Sequence, residues 1–161
     1  MATYTATERR SSLLNAASHG GAYGVKNLTS TVEIATATTV GRTINFGYIP
    51  SNARILMTSK LYADDLATSG SPTLDLGIAA VNGNLVNADD PDALTAAIAI
   101  SSAVTGANVL SDIANAGLEA WDHVASETVD PGGVLSVYGS MVDAAINKAG
   151  TITIDLFYVV D

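Results

Sequence analysis

At 161 residues, with 48 % hydrophobic and 14 % charged residues, the chain has the size and apolar content of one folded domain, which argues against bulk disorder. A chain of this length buries roughly 70 % of its unfolded surface. Sixteen acids against seven bases leave a net charge of −9, and only Arg9 and Arg10 are adjacent bases, so the phosphate-neutralising clusters that nucleic acid or an anionic membrane surface would need are missing. Cysteine is absent, which removes disulfides and thiol chemistry. No apolar h-region follows a basic start, and no apolar run approaches the ~18 residues of a membrane span. The expectation is a protein made and kept in a cytoplasm unless it leaves by assembly or lysis.

Residues 1–30 are read as an N-terminal arm and 31–161 as the domain proper. The first segment lacks the apolar content for its own core, but Tyr4, Leu13, Leu14 and Tyr23 offer anchors for an arm laid on a neighbouring subunit. Strands are expected from Thr31 to Val40 and from Thr43 to Tyr48, the second with Ile44, Phe46 and Tyr48 on one face. After Ile49-Pro50, a proline position tolerated at a strand entry, one longer strand is predicted over Ala53–Tyr62. Turn formers fill Asp64 to Pro72, and Thr73 to Ile78 alternates with Leu74, Leu76 and Ile78 on one face. These two strands are expected to form a central hairpin. Asp90-Pro91-Asp92 has the form of a helix start, with a capping carboxylate, a proline at the first position and an acid at the positive helix end. It predicts a short helix over Ala93–Ile98, with a strand through Ile98–Ser101 as the competing reading. Residues 104–120 carry no clear pattern, and Trp121–Val129 is read as a strand. Asp130-Pro131-Gly132-Gly133 is a turn before a strand over Val134–Val142. The last strand, Thr151–Val160, places Ile152, Ile154, Leu156, Tyr158 and Val160 on one face; Phe157 and Val159 make its end apolar on both sides, as a central position or a subunit contact requires. About eight short strands with frequent turns and one short helix predict an all-β, single-domain β-sandwich or jelly roll.

No catalytic constellation emerges. Gly70-Ser71-Pro72 and Gly139-Ser140-Met141 lack the second glycine of a nucleophile elbow. His19 and His123 are the only imidazoles; His123, beside Trp121, reads as a packing residue. Two distant histidines and no cysteine exclude a zinc site. Asn82, Asn84, Asn87, Asp89, Asp90 and Asp92 supply the hard oxygens calcium favours, but without the EF-hand pattern, so a solvated loop leading into a capped helix is preferred. Asp64 and Asp65 are adjacent in a turn and do not face each other across a cleft. No catalytic, cofactor or metal residue is assigned, and no enzymatic activity is expected.

The Ile49-Pro50 entry, the Asp64-to-Ser71 turn, Thr73-Leu74-Asp75-Leu76-Gly77, the Asn/Asp-rich loop with Asp92-Ala93-Leu94 and the ending Ala149-Gly150-Thr151-Ile152-Thr153-Ile154 through Tyr158-Val159 together resemble tailed-bacteriophage virion proteins. The resemblance covers about residues 43 to 161, apart from 104 to 125. It implies a jelly-roll-like capsid decoration, or cement, protein: a homotrimer on the capsid exterior that clamps major capsid protein subunits, assembled in the host cytoplasm, with no direct nucleic acid or membrane partner. The arm would then reach a neighbour through Tyr4, Arg9, Arg10, Leu13, Leu14 and Tyr23. A tail, neck or fibre component is the alternative within the virion, and a carbohydrate-binding β-sandwich the alternative outside it.

Overall fold

The computed structural model describes residues 24–85 and 89–160, together with the backbone of Tyr4–Thr5 and Thr7–Glu8. The strands are β1 (Tyr4–Thr5), β2 (Thr7–Glu8), β3 (Lys26–Ile34), β4 (Thr43–Pro50), β5 (Ala53–Ile55) and β6 (Lys60–Ala63). They continue as β7 (Thr73–Ala79), β8 (Asp90–Ala99), β9 (Val104–Asn108), β10 (Val134–Val142) and β11 (Gly150–Val160). Five make one sheet in the order β1-β4-β10-β7-β8; the other runs β2-β3-β11-β6-β9, with β5 also paired to β11. All pairings are antiparallel except that of β1 with β4.

The two sheets enclose one core. Strand periodicity sends Val32 and Ile34 of β3 and Ile152, Ile154 and Leu156 of β11 inward from one sheet. Ile44 and Phe46 of β4, Leu74, Leu76 and Ile78 of β7, and Val137 and Met141 of β10 meet them from the other. Each such side chain contributes about 1.5–3 kcal/mol by leaving water. Gly139 belongs to this inward set, and a Cβ there would lie 2.9 Å from Leu74 Cδ1 and 3.1 Å from Phe46 Cε2, so its bare backbone lets those two side chains close over it.

Several expectations are met closely. β7 and β10 fall where the alternation placed them, and β11 begins one residue earlier, at Gly150. β11 is central, flanked by β3 on one side and β6 and β5 on the other, and the outward Phe157 and Val159 at its end are half-buried. Pairing of β3 starts at Lys26, ahead of the predicted Thr31, because Lys26, Asn27 and Leu28 pair with Tyr158, Phe157 and Leu156.

Other expectations fail for identifiable reasons. The predicted strand over Ala53–Tyr62 is broken: Leu56 N–H bonds Phe157 O at 2.8 Å and Ser59 N–H bonds Leu56 O at 3.0 Å, so a turn separates β5 from β6. The central hairpin does not exist, since β6 and β7 belong to opposite sheets. Leu66, fully buried, pins the connection as it crosses the sandwich, with its N–H on Ile100 O and its carbonyl taking Lys148 N–H. The helix over Ala93–Ile98 is instead part of β8. Six residues are too few to hold a helix unaided, whereas pairing with β7 satisfies the backbone and buries Leu94 and Ile98. Trp121–Val129 is not a strand either: Ala120–His123 forms a 3-10 turn, and a second one covers Ile113–Asn115. No α-helix occurs among the described residues.

Candidate functional surface

The residues assigned to the arm are for the most part not described. Tyr4 lies in β1, its backbone paired in register with Ile44. Arg9, Arg10, Leu13, Leu14 and Tyr23 lie outside the described residues. The backbone of the first residues adds one short strand to each sheet on the same flank, β1 beside β4 and β2 beside β3.

The acids singled out in the sequence are engaged in holding loops. Asp64 Oδ2 accepts from Thr151 N–H at 2.7 Å and Thr151 Oγ1 at 2.9 Å, and those bonds hold its carboxyl below the usual range. Asp65 is held low by the Lys148 ammonium 2.8 Å away. In the Asn/Asp-rich loop, Asn84 caps a turn through Val81 N–H and reaches across to the Gly132 and Val134 carbonyls. Asn87 lies outside the described residues. No group of three or more acidic or imidazole side chains among the described residues has the arrangement of a metal site.

The largest local surprise is the start of β8. Between its pairings Asp90↔Ile78 and Thr95↔Leu76, β8 places four residues, Pro91 to Leu94, where β7 places only Gly77, so those four form a bulge. The bulge folds onto the outer side of β7. A Cβ on Gly77 would lie 2.0 Å from the Asp90 carbonyl oxygen and 2.6 Å from Pro91, which is why only glycine fits there. Tyr138 stands directly across from Gly77 on β10, on the outward side, yet is 9 % exposed. Burial, followed by the carboxylates of Asp89, Asp90, Asp92 and Asp75, pushes the Tyr138 phenol well above its ordinary value. Asp92 is also raised, first by its hydrogen bond with Asp90 and then by burial.

Three of these carboxylates also bind backbone. Asp75 Oδ1 accepts from Ala97 N–H at 2.7 Å, Asp89 Oδ1 from Ala80 N–H at 2.8 Å and Asp90 Oδ2 from Ala125 N–H at 2.9 Å. The bond to Ala125 ties the bulge to the segment after the 3-10 turn that carries His123. That imidazole is buried, both ring nitrogens lack a partner, and desolvation lowers its pKa against the opposing pull of Asp122. Sequence reasoning found Asp89, Asp90 and Asp92 but gave them to a helix cap or a calcium loop. It missed Asp75 and Tyr138 as members of the same cluster, because only the register of β7 against β8 and β10 unites them.

Trp121 is half-buried, and its Nε1 donates to Glu119 Oε2 at 2.6 Å. Glu119 Oε1 in turn takes Arg54 Nη2 at 2.9 Å, and Arg54 Nη1 also bonds the Gly117 carbonyl. This cluster fastens the long β9–β10 connection to β5.

No protein-family model matches the chain, and no curated protein matches it. Solved structures do. A chain of the cyanophage Pam1 capsid asymmetric unit is similar over 89 % of this chain and 89 % of its own length, at 22 % identity and a TM-score of 0.53. A chain of the Ralstonia phage GP4 capsid is similar over 86 % of this chain and 84 % of its own, at 23 % identity and a TM-score of 0.52. The two-sheet fold described above is thus one that also occurs, nearly end to end, in chains of two phage capsid structures.

Proposed function

We propose that this chain is a non-enzymatic virion structural protein, a capsid decoration protein that binds the outer capsid surface and stabilises contacts between major capsid subunits. The observation that carries this reading is the near-complete, two-way coverage of chains in two phage capsids. Topology supports it. Leaving aside β1, β2 and β5, the strand orders are β3-β11-β6-β9 and β4-β10-β7-β8, and the chain changes sheet at every step except β7 to β8. We read that order as a jelly roll's, an architecture frequent in viral capsid proteins. The acidic balance suits an exterior position away from packaged nucleic acid. The half-buried, hydrogen-bonded Trp121 is a poor stacking platform, which weighs against a carbohydrate-binding module.

In this reading the protein is a homotrimer and residues before β3 reach a neighbouring subunit. The test is reconstitution. Purified protein is added to capsids lacking it, and cryo-electron microscopy and light scattering follow occupancy and mass. Trimers that add to the outer lattice support the proposal. Monomers at micromolar concentration with no capsid binding contradict it, and attachment at a single vertex places the protein in a neck or tail.

A further inference from the structure

Asparagine side chains differ sharply in how firmly the fold holds them. An asparagine amide is lost when the backbone nitrogen of the next residue attacks its Cγ. That attack needs a side chain free to turn, a following N–H outside any hydrogen bond, and little bulk on the following residue. Asn82-Gly83 is the one Asn-Gly pair in the sequence. Both residues are exposed, with φ of 56° and 72°. They are the central pair of the turn that Asn84 N–H closes on Val81 O at 3.3 Å, a turn whose positive φ values suit this dipeptide. Among the described residues no hydrogen bond engages the Asn82 side chain or the Gly83 N–H, and a Cβ at Gly83 would meet nothing within 4 Å.

The other described asparagines lack this combination. The side chains of Asn27, Asn45, Asn84, Asn108 and Asn147 are each held by hydrogen bonds. Asn52 precedes Ala53, fully buried in β5, and Asn115 precedes Ala116, whose N–H bonds Ile113 O at 3.0 Å.

We infer that Asn82 is a site of spontaneous deamidation, and that its isoaspartyl product unfastens the β7–β8 connection from the turn before β10. The Gly83 nitrogen, having given its proton to solvent, adds to Asn82 Cγ. The bond from Cγ to the side-chain nitrogen breaks, and that nitrogen takes a proton back from solvent and leaves as ammonia. Water then opens the cyclic imide. Opening at the main-chain carbonyl leaves isoaspartate, and opening at Cγ leaves aspartate. Isoaspartate routes the chain through the former side chain, which adds one main-chain carbon between Val81 and Asn84 and one negative charge. Asn84 fits the turn at its present length: its Oδ1 takes Val81 N–H at 2.7 Å while its Nδ2 reaches Val134 O at 3.0 Å and Gly132 O at 3.3 Å. A lengthened turn cannot keep these bonds together.

The full chain is incubated at mildly alkaline pH in water enriched in heavy oxygen, cut before aspartate and sequenced by mass spectrometry. Asp75 and Asp89 bound the fragment of interest, residues 75–88. Conversion is expected at Asn82, with one heavy oxygen in the product and isoaspartate in excess. It should outpace every other asparagine by about fivefold or more, the effect of one hydrogen bond that elsewhere must first break. Asn82→Gln, which would have to form a larger ring, should stay unconverted. Equal conversion at Asn84 or Asn147 would overturn the assignment. So would an unconverted Asn82 over a period in which a synthetic peptide of residues 79–86 is half converted. Hydrogen exchange reads the second claim. In purified isoaspartyl protein the Val81 amide should lose protection on the order of fivefold. Asn82→Asp, which adds the charge without the extra carbon, should keep it. Unchanged protection in the isoaspartyl form would overturn the release, and an equal loss in Asn82→Asp would overturn it in favour of charge. None of these outcomes depends on capsid binding, so the two proposals fail separately.

Discussion

Replacing Gly77 with alanine tests the account of the β8 bulge. The added Cβ would stand 2.0 Å from the Asp90 carbonyl oxygen and 2.6 Å from Pro91 Cα and carbonyl carbon. All three contacts are backbone, so no rotamer change relieves them and the bulge must lift off β7. Overpacking alone costs about 1–3 kcal/mol. Lifting also uncovers Leu94, 1 % exposed, and strains the Asp90–Ala125 hydrogen bond. Those losses add roughly 2 kcal/mol. The total is about 3–5 kcal/mol, which for a domain of this size lowers the melting temperature on the order of 10 °C. Differential scanning calorimetry of Gly77→Ala is compared with Gly24→Ala, where a Cβ meets nothing within 4 Å and the expected change is below about 0.5 kcal/mol. A Gly77→Ala protein within about 1 kcal/mol of wild type would refute the reasoning, because the bulge could then not rest on the β7 backbone.

His123 sets a second expectation. Its folded pKa lies below the ordinary 6.5, so folding excludes a proton that the unfolded chain accepts. Stability is therefore full above about pH 6.5 and falls as the pH drops from there toward the folded pKa. Urea titrations of wild type and His123→Leu between pH 7.5 and 5 should show this decline only in wild type; parallel curves would contradict it. Gly139→Ala should cost about 1–2 kcal/mol in the same denaturant assay, less than Gly77→Ala, because the atoms it meets belong to the Leu74 and Phe46 side chains, which can adjust. Deleting residues 1–23, which stops short of β3, should leave one cooperative transition while weakening capsid attachment. Unchanged attachment would show that the arm has no binding role.

What was legible in the sequence was the strands whose faces differ in polarity. Thr73 to Ile78 and Thr151 to Tyr158 alternate because one face meets the core and the other water, so their period survives without knowledge of their partners. β8 was illegible for the opposite reason. Asp90-Pro91-Asp92 carries the local chemistry of a helix start, but its proline sits in a bulge, where a missing N–H donor costs no ladder bond. Ala53–Tyr62 looked continuous because nothing local announces the turn at Leu56 to Ser59; the hydrogen bonds that hold it come partly from Phe157, about a hundred residues away. The cluster around Tyr138 failed in the same way. Its members come from three strands and the residue just before β8, and only antiparallel register, together with the one missing side chain at Gly77, brings them to one place.

The central proposal, a structural place in a virion, is tested most directly by quantitative mass spectrometry of virus particles purified from cells in which the gene for this chain is expressed. The account predicts a copy number close to that of the major capsid protein. Absence from particles would contradict it outright, and a few copies per particle would contradict the decoration role in favour of a tail or neck position.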